Sequence, residues 1–189
     1  MSELVKLSHG GGGKEMQELL RVIWRILPKN KNWQGSDQDA AYRLWPGGAH
    51  RSSTIVKDKK PAPAGQKLVF TTDSYIVDPL FFPGGDIGKL AICGTINDLA
   101  VMGAKPLGIS LALIIEEGFL FDNLKKILRS VATVSRREKV AVVTGDTKVV
   151  EKGGVKGIVI NTSGVGTASR LVSNAGLNLG DVIIVSGGI

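Results

Sequence analysis

Residues 88–115 constrain the fold more than any other stretch of the chain. Gly88–Gly103 distributes Leu90, Ile92, Cys93, Ile96, Leu99 and Met102 around nearly the whole circumference of a helix, and Leu107–Ile115 follows as an unbroken apolar strand. A helix apolar on all sides is buried on all sides, and a continuously apolar strand belongs inside a sheet with both faces covered. Asp86 opens the helix and Gly103 closes it. Two such elements in succession ask for cover that 189 residues do not readily supply, so a homodimer is expected.

The flanking segments supply partners for this centre. Lys14–Leu27 places Met16, Leu19, Leu20, Ile23, Ile26 and Leu27 on one helical face, with Pro28 ending the run. Phe121–Lys139 is a second amphipathic helix, with Asp122 early and Arg136, Arg137 and Lys139 late, as the helix dipole favours. Lys67–Thr72, Val140–Thr144, Gly157–Thr162 and Val182–Ser186 read as strands. Strands and helices alternate in the middle and strands dominate the end, so the class is α/β or α+β, in one domain over 1–189. No repeat of 20–50 residues is visible.

Charge is concentrated. Of the net +7, all comes from residues 21–67, which hold ten Lys/Arg against three Asp/Glu. Pro46-Gly47-Gly48 and Pro61-Ala62-Pro63-Ala64-Gly65 mark its later part, 45–67, as an exposed, partly flexible excursion. Its aromatics (Trp33, Tyr42, Trp45) are too sparse for a stacking platform, so nucleic acid is not expected as a partner. One cysteine excludes a disulfide framework, and two histidines leave no His-rich metal site. Met1–Gly10 lacks the apolar core of a signal peptide, and no apolar run is long enough to span a bilayer. A cytoplasmic protein without a membrane partner is the simplest expectation.

Gly is enriched, 25 of 189 residues, and clusters beside charged side chains. Four stretches set an Asp among Gly, Thr, Ser or Asn at the end of an apolar element, at Asp39, Asp73, Asn97-Asp98 and Asp146-Thr147. Asp98 is the sharpest, since its helix is otherwise almost wholly apolar, and buried carboxylates are costly unless paired or metal-bound. Converging carboxylates would hold Mg²⁺, which would in turn hold phosphate oxygens. Each Asp taken singly serves equally well as a cap or turn former. Ser8 through Gly11, Gly12, Gly13 and Lys14 resembles a phosphate loop, with glycines leading into a helix. It is no Walker A motif, and a flexible tail is the alternative. Lys148 could balance charge or move a proton near a metal-phosphate. Glu116-Glu117 reads as a solvated turn and Cys93 as an inert core thiol.

The run Thr71-Thr72-Asp73-Ser74 through Asp78–Gly85 and Asp86, Gly94-Thr95-Ile96-Asn97-Asp98, and Gly145-Asp146-Thr147-Lys148-Val149-Val150 together closely resemble the HypE family of nickel–iron hydrogenase maturation proteins. That family is related to aminoimidazole ribonucleotide synthetase, selenophosphate synthetase and thiamine monophosphate kinase; the Asp78–Gly85 stretch and Asp146-Thr147-Lys148 single out HypE. The resemblance implies an α+β domain with a mixed sheet, helices on one face, and sheets completed at a dimer interface. It implies ATP and Mg²⁺ as cofactors, Asp39, Asp73, Asp98 and Asp146 as metal ligands, Gly11, Gly12, Gly13, Lys14, Asn97 and Thr147 around the nucleotide, and Lys148 in proton transfer. The implied reaction is dehydration of an S-carbamoyl group on a C-terminal Cys to a thiocyanate, the source of hydrogenase cyanide. The implied partners are a second copy, the carbamoyltransferase HypF and the HypC–HypD complex. The family carries a second domain ending in that Cys, whereas this sequence stops at Ile189. The expectation is therefore the ATP-binding and dimerisation half, or else a non-catalytic dimerisation or docking fragment.

Overall fold

The computed structural model describes residues 4–11, 13–28, 67–172, 178–185 and 187. Asp39, Gly12 and residues 45–66 of the basic stretch lie outside the described residues.

Helix α1 (Lys14–Ile26) follows a short 3-10 turn at Leu7–Gly10. Strand β1 (Lys67–Tyr75) leads through the two-residue strands β2 (Phe81–Phe82) and β3 (Gly85–Asp86) into helix α2 (Ile87–Val101). Strand β4 (Lys105–Glu116), helix α3 (Phe121–Arg137), strand β5 (Val142–Val150) and strand β6 (Ile158–Ala168) complete the order. Four of these strands form one sheet in the order β1-β6-β4-β5, antiparallel except for the parallel β4–β5 pair. The three helices cover one face of this mixed sheet, the α+β arrangement expected.

Local chemistry explains the boundaries. Asp86 caps α2, accepting from Lys89 N at 2.9 Å, and takes a second hydrogen bond from Ser130 Oγ, which ties the cap to α3. Gly88 makes that contact possible, because a Cβ there would lie 2.5 Å from Ile127 O. Gly103, at φ +72°, ends α2 in the left-handed region. Strand β4 alternates: Ile109, Leu111, Leu113 and Ile115 are at most 3% exposed and face the helices. They share one core with Leu19 and Ile23 of α1, Ile87 and Ile92 of α2, and Leu124 and Leu128 of α3.

The other sheet face carries no layer among the described residues. Leu68 and Phe70 of β1 stand 68% and 65% exposed there, and Ser110, Ala112 and Ile114 of β4 are only half-buried. Helices thus cover one face of β4 among the described residues. The terminal strand expected at Val182–Ser186 is absent over its described part. Val182–Val185 pair with no described strand, and Ile183 is 92% exposed. An apolar run predicts a strand only where a neighbouring strand takes up its N–H and C=O groups.

Candidate functional site

Thr71, Asp73 and Tyr75 alternate along β1 and so share its helix-side face. Thr71 Oγ1 donates to Asp98 Oδ2 on α2 at 2.8 Å. Thr71 and Asp73 are about 7 Å apart along the strand, so the residue that holds Asp98 lies two positions from Asp73 on the same strand face, at the rim where α2 crosses β1. Asp73 Oδ1 accepts from Ser74 N at 2.7 Å, and neither carboxylate has a cationic partner among the described residues. Both are exposed, as is Asn97. Burial cost, the sequence argument for Asp98, does not operate: the buried line of α2 runs through Ile87, Ala91, Thr95 and Leu99, and Asp98 falls beside it.

Asp146 and Lys148 lie elsewhere. The sequence pattern put them after a strand, but β5 continues through them to Val150, because Thr147 and Val149 keep its inner side apolar or buried. Alternation turns Asp146 and Lys148 to the open face, opposite Ala112 and Ile114, where Lys148 Nζ stands 3.7 Å from Asp146 Oδ1. Strands β6 and β4 intervene between β1 and β5, so Asp73 and Asp146 are three strand steps, roughly 14 Å, apart and on opposite faces. The four expected metal ligands are therefore not one cluster. Asp39 is outside the described residues, Asp98 is tied to Thr71 two positions before Asp73, and Asp146 is apart; no group of three or more His, Cys, Asp or Glu converges among the described residues. Thr147, expected beside the nucleotide, is 3% exposed and faces α1 with Leu20, Ile23 and Trp24, so its side chain cannot reach a ligand held by Asp146 or Lys148.

The glycine segment is ordered rather than a loose tail over its described part. Val5 N donates to Phe119 O at 2.8 Å, and buried His9 takes Lys6 N at 2.9 Å while packing edge-on against Phe121 at 5.4 Å. Gly10 lies so close to β5 that a Cβ would fall 2.8 Å from Val149 N. Gly13 then caps α1 without a side chain, leaving Gly11, Gly13 and Lys14 exposed at a helix N-terminus next to β5.

Sequence reasoning missed two features. Glu116 is no free turn residue: it accepts from Gly153 N at 2.8 Å and Gly157 N at 2.9 Å, and these hydrogen bonds hold its carboxyl below the usual range. It also missed Tyr75 and Thr95, buried beneath the Asp73–Asp98 rim. Gly94 inside an apolar helix was the available signal, since a glycine there marks close approach by another group.

Comparison with known proteins agrees with this architecture. Residues 54–168 match the family model described as AIR synthase related protein, N-terminal domain. The carbamoyl dehydratase HypE of Escherichia coli is 43% identical over 185 residues, covering 97% of this chain and 51% of that protein. The protein of the same name from Cupriavidus necator is 42% identical over 187 residues, covering 97% and 48%. Among solved structures, hydrogenase maturation protein HypE in complex with ATP superposes with a TM-score of 0.68 at 38% identity, over 86% of this chain and 43% of that one. A HypE–HypF complex matches at 59% identity and a TM-score of 0.53, over 53% and 33%. The chain spans about half the length of the curated relatives it matches. Among the described residues no helix is long and apolar enough to cross a membrane. From the matched 115-residue stretch and the sheet it builds, the chain belongs to the AIR synthase related protein family.

Proposed function

We propose that this chain is the Mg–ATP-binding half of a carbamoyl dehydratase that serves nickel–iron hydrogenase maturation in the cytoplasm. The observation that carries the reading is the likeness, at 38% identity, to a HypE solved with ATP. The chemistry of the rim fits the cation. Asp73 and Asp98 offer exposed, oxygen-only, anionic donors, and Mg²⁺ takes one or two carboxylates plus phosphate oxygens while keeping several waters.

The carboxamide oxygen of an S-carbamoyl group is a poor leaving group, and bound Mg–ATP supplies the phosphoryl group that makes it a good one. Asp73 and Asp98 would hold and orient the cation-phosphate end, with Asn97 adjoining on α2. Gly13 and Lys14 would offer backbone N–H groups, and Lys14 a positive charge, to phosphate, with Gly11, whose own N–H is given to Ser8 O, letting the backbone come close. Lys148, whose ammonium stands beside Asp146, would serve in proton transfer as phosphate departs, passing its own proton to the Asp146 carboxylate and taking up the N–H proton in its place. The thiol carrying the carbamoyl group would come from a C-terminal segment outside this sequence. HypF, solved in complex with a HypE, is the carbamoyl donor partner in this reading, and the HypC–HypD complex the acceptor of cyanide.

Asp146 and Lys148 face the open sheet surface with Leu68 and Phe70, which a second copy would cover. Their part in the reaction thus rests on homodimer formation. The same exposed face favours the second reading, a non-catalytic dimerisation module. Calorimetric titration of ATP with and without Mg²⁺ separates the two: Mg-dependent binding supports the enzyme half, and absence of ATP binding leaves the module.

A further inference from the structure

Tyr75 crosses from β1 to α2 directly beneath the carboxylate rim. It is 7% exposed, and its Oη rests over Gly94, where an added Cβ would collide with it. Tyr75 Oη is 3.5 Å from Thr95 Oγ1, which also contacts Thr162 Oγ1 of β6. Thr95, fully buried, donates to Ala91 O at 3.1 Å. A hydroxyl has one proton, so Thr95 can only accept from Tyr75 and Thr162. The phenol proton therefore points to Thr95 or to the Asp73 carboxylate, two residues earlier on the same strand face. Burial holds the phenol above its ordinary range, opposed by the hydrogen bond with Thr95 and reinforced by the Asp73 carboxylate.

Gly164 completes the joint. A Cβ there would come within 2.7 Å of Thr95 Cγ2 and 3.0 Å of Leu99 Cδ1, so α2 could not settle this close to β6. The joint lies one helical turn from Asp98 and two residues from Asp73, and the Thr71–Asp98 hydrogen bond closes it on the outside.

We propose that Tyr75 is a positioning residue for the Asp73–Asp98 pair: docked over Gly94 and against Thr95, it sets the separation at which β1 and α2 present the two carboxylates to a divalent cation. This rests on the Mg–ATP reading above. Nothing in the proposal requires Tyr75 to touch nucleotide or metal.

The test compares ATP dissociation constants with and without Mg²⁺ in the wild type, Tyr75→Phe, Thr95→Val and Thr95→Ser, alongside melting temperatures. The ratio of the two constants isolates the part of binding that passes through the cation. Tyr75→Phe and Thr95→Val are expected to shrink the ratio about fivefold or more and to leave metal-free affinity within about twofold. Thr95→Ser, which retains the hydroxyl, is expected to keep the wild-type ratio. A ratio unchanged in Tyr75→Phe, with only the melting temperature lowered, overturns the proposal, as does equal loss in Thr95→Ser and Thr95→Val. If Tyr75→Phe does not fold, the Val and Ser variants at 95 decide it in the same way. A wild type whose ATP affinity ignores Mg²⁺ overturns the Mg–ATP reading itself, a result distinct from failure of the positioning role.

Discussion

Thr71 on β1 donates a 2.8 Å hydrogen bond to Asp98 on α2, 27 positions away in sequence, and so ties the strand that carries Asp73 to the helix that carries Asp98. The bond fixes where Asp98 sits, and a hydroxyl donor brings no counter-charge to the carboxylate.

Asp98→Asn is the direct probe of that carboxylate. Asn keeps an oxygen to accept from Thr71 and removes only the charge, and the position is exposed, so stability should change by no more than about 0.5 kcal/mol. Affinity for ATP in the presence of Mg²⁺ should fall on the order of tenfold, about 1.4 kcal/mol. Thermal melting and calorimetry on the same variant check both. Unchanged affinity with a lowered melting temperature would defeat the metal-ligand role.

How much of the Asp73–Asp98 rim was legible in the sequence depends on the residue. Asp86 as a cap, Gly103 as a stop and the buried stripe of α1 were readable, because caps and 3.6-residue periodicity are local. The pattern of Asp beside Gly, Thr or Asn leads to an expectation of converging carboxylates, but not to which of them would share one side of the sheet. The physical basis of that sharing is the β1–β6–β4 register and the crossing of α2, neither of which leaves a mark on nearby residues. Asp146 shows the converse. Its motif looked like a strand end, but the strand continues because every second residue meets α1 or the 3-10 turn, contacts made across more than 100 positions. The Glu116 clamp was equally invisible, for its two donors belong to a loop 37 and 41 residues downstream.

Gly94→Ala should destabilise the fold even though alanine is the better helix former by about 1 kcal/mol. The added methyl would displace the Tyr75 hydroxyl, and overpacking of this kind costs about 1–3 kcal/mol. Combining it with Tyr75→Phe removes the colliding oxygen and should recover part of the loss. Urea denaturation of the single and double variants measures the coupling, and strict additivity would refute the contact.

Asp86→Ala removes both the α2 cap and the tie to Ser130, at a position only 7% exposed. Loss of a cap costs about 1 kcal/mol, and the buried donors left behind raise the total to about 2–3 kcal/mol. Asp86→Asn, which can still accept from Lys89 N, should lose less. Denaturant midpoints rank the two, and equal losses would contradict the cap.

Glu116 makes stability depend on pH in a stated direction. Its folded-state pKa lies below the ordinary 4.5 because Gly153 and Gly157 donate to the carboxylate. A depressed acid contributes stability that is complete above the unfolded value and is lost as pH falls through the folded one. Wild type should therefore exceed Glu116→Gln in melting temperature at pH 7, and the gap should narrow as pH drops below about 4.5. A gap constant from pH 7 to pH 3 would show that the loop clamp does not need the charge.

The open face of the sheet yields the last prediction. Phe70 and Leu68 point away from the helices, at 65% and 68% exposure, on a strand whose outer edge meets no described strand. Contiguous apolar exposure of this sort on a sheet face is usual where another surface packs. If that surface is a second copy, the contact is self-complementary, and each substitution acts twice per dimer. Phe70→Glu should then leave the monomer fold intact, because the side chain contributes little to its own core, while placing a carboxylate from each copy into a desolvated interface. Light scattering at tens of micromolar should show a dimer for wild type and a monomer for Phe70→Glu, with superimposable circular dichroism. The pair also tests the chemistry, since Asp146 and Lys148 share this face: a monomeric variant that retains Mg-dependent ATP affinity places the nucleotide at the Asp73–Asp98 rim alone. A wild type that is monomeric in the same measurement, or a Phe70→Glu variant that remains dimeric, would refute assembly through this face.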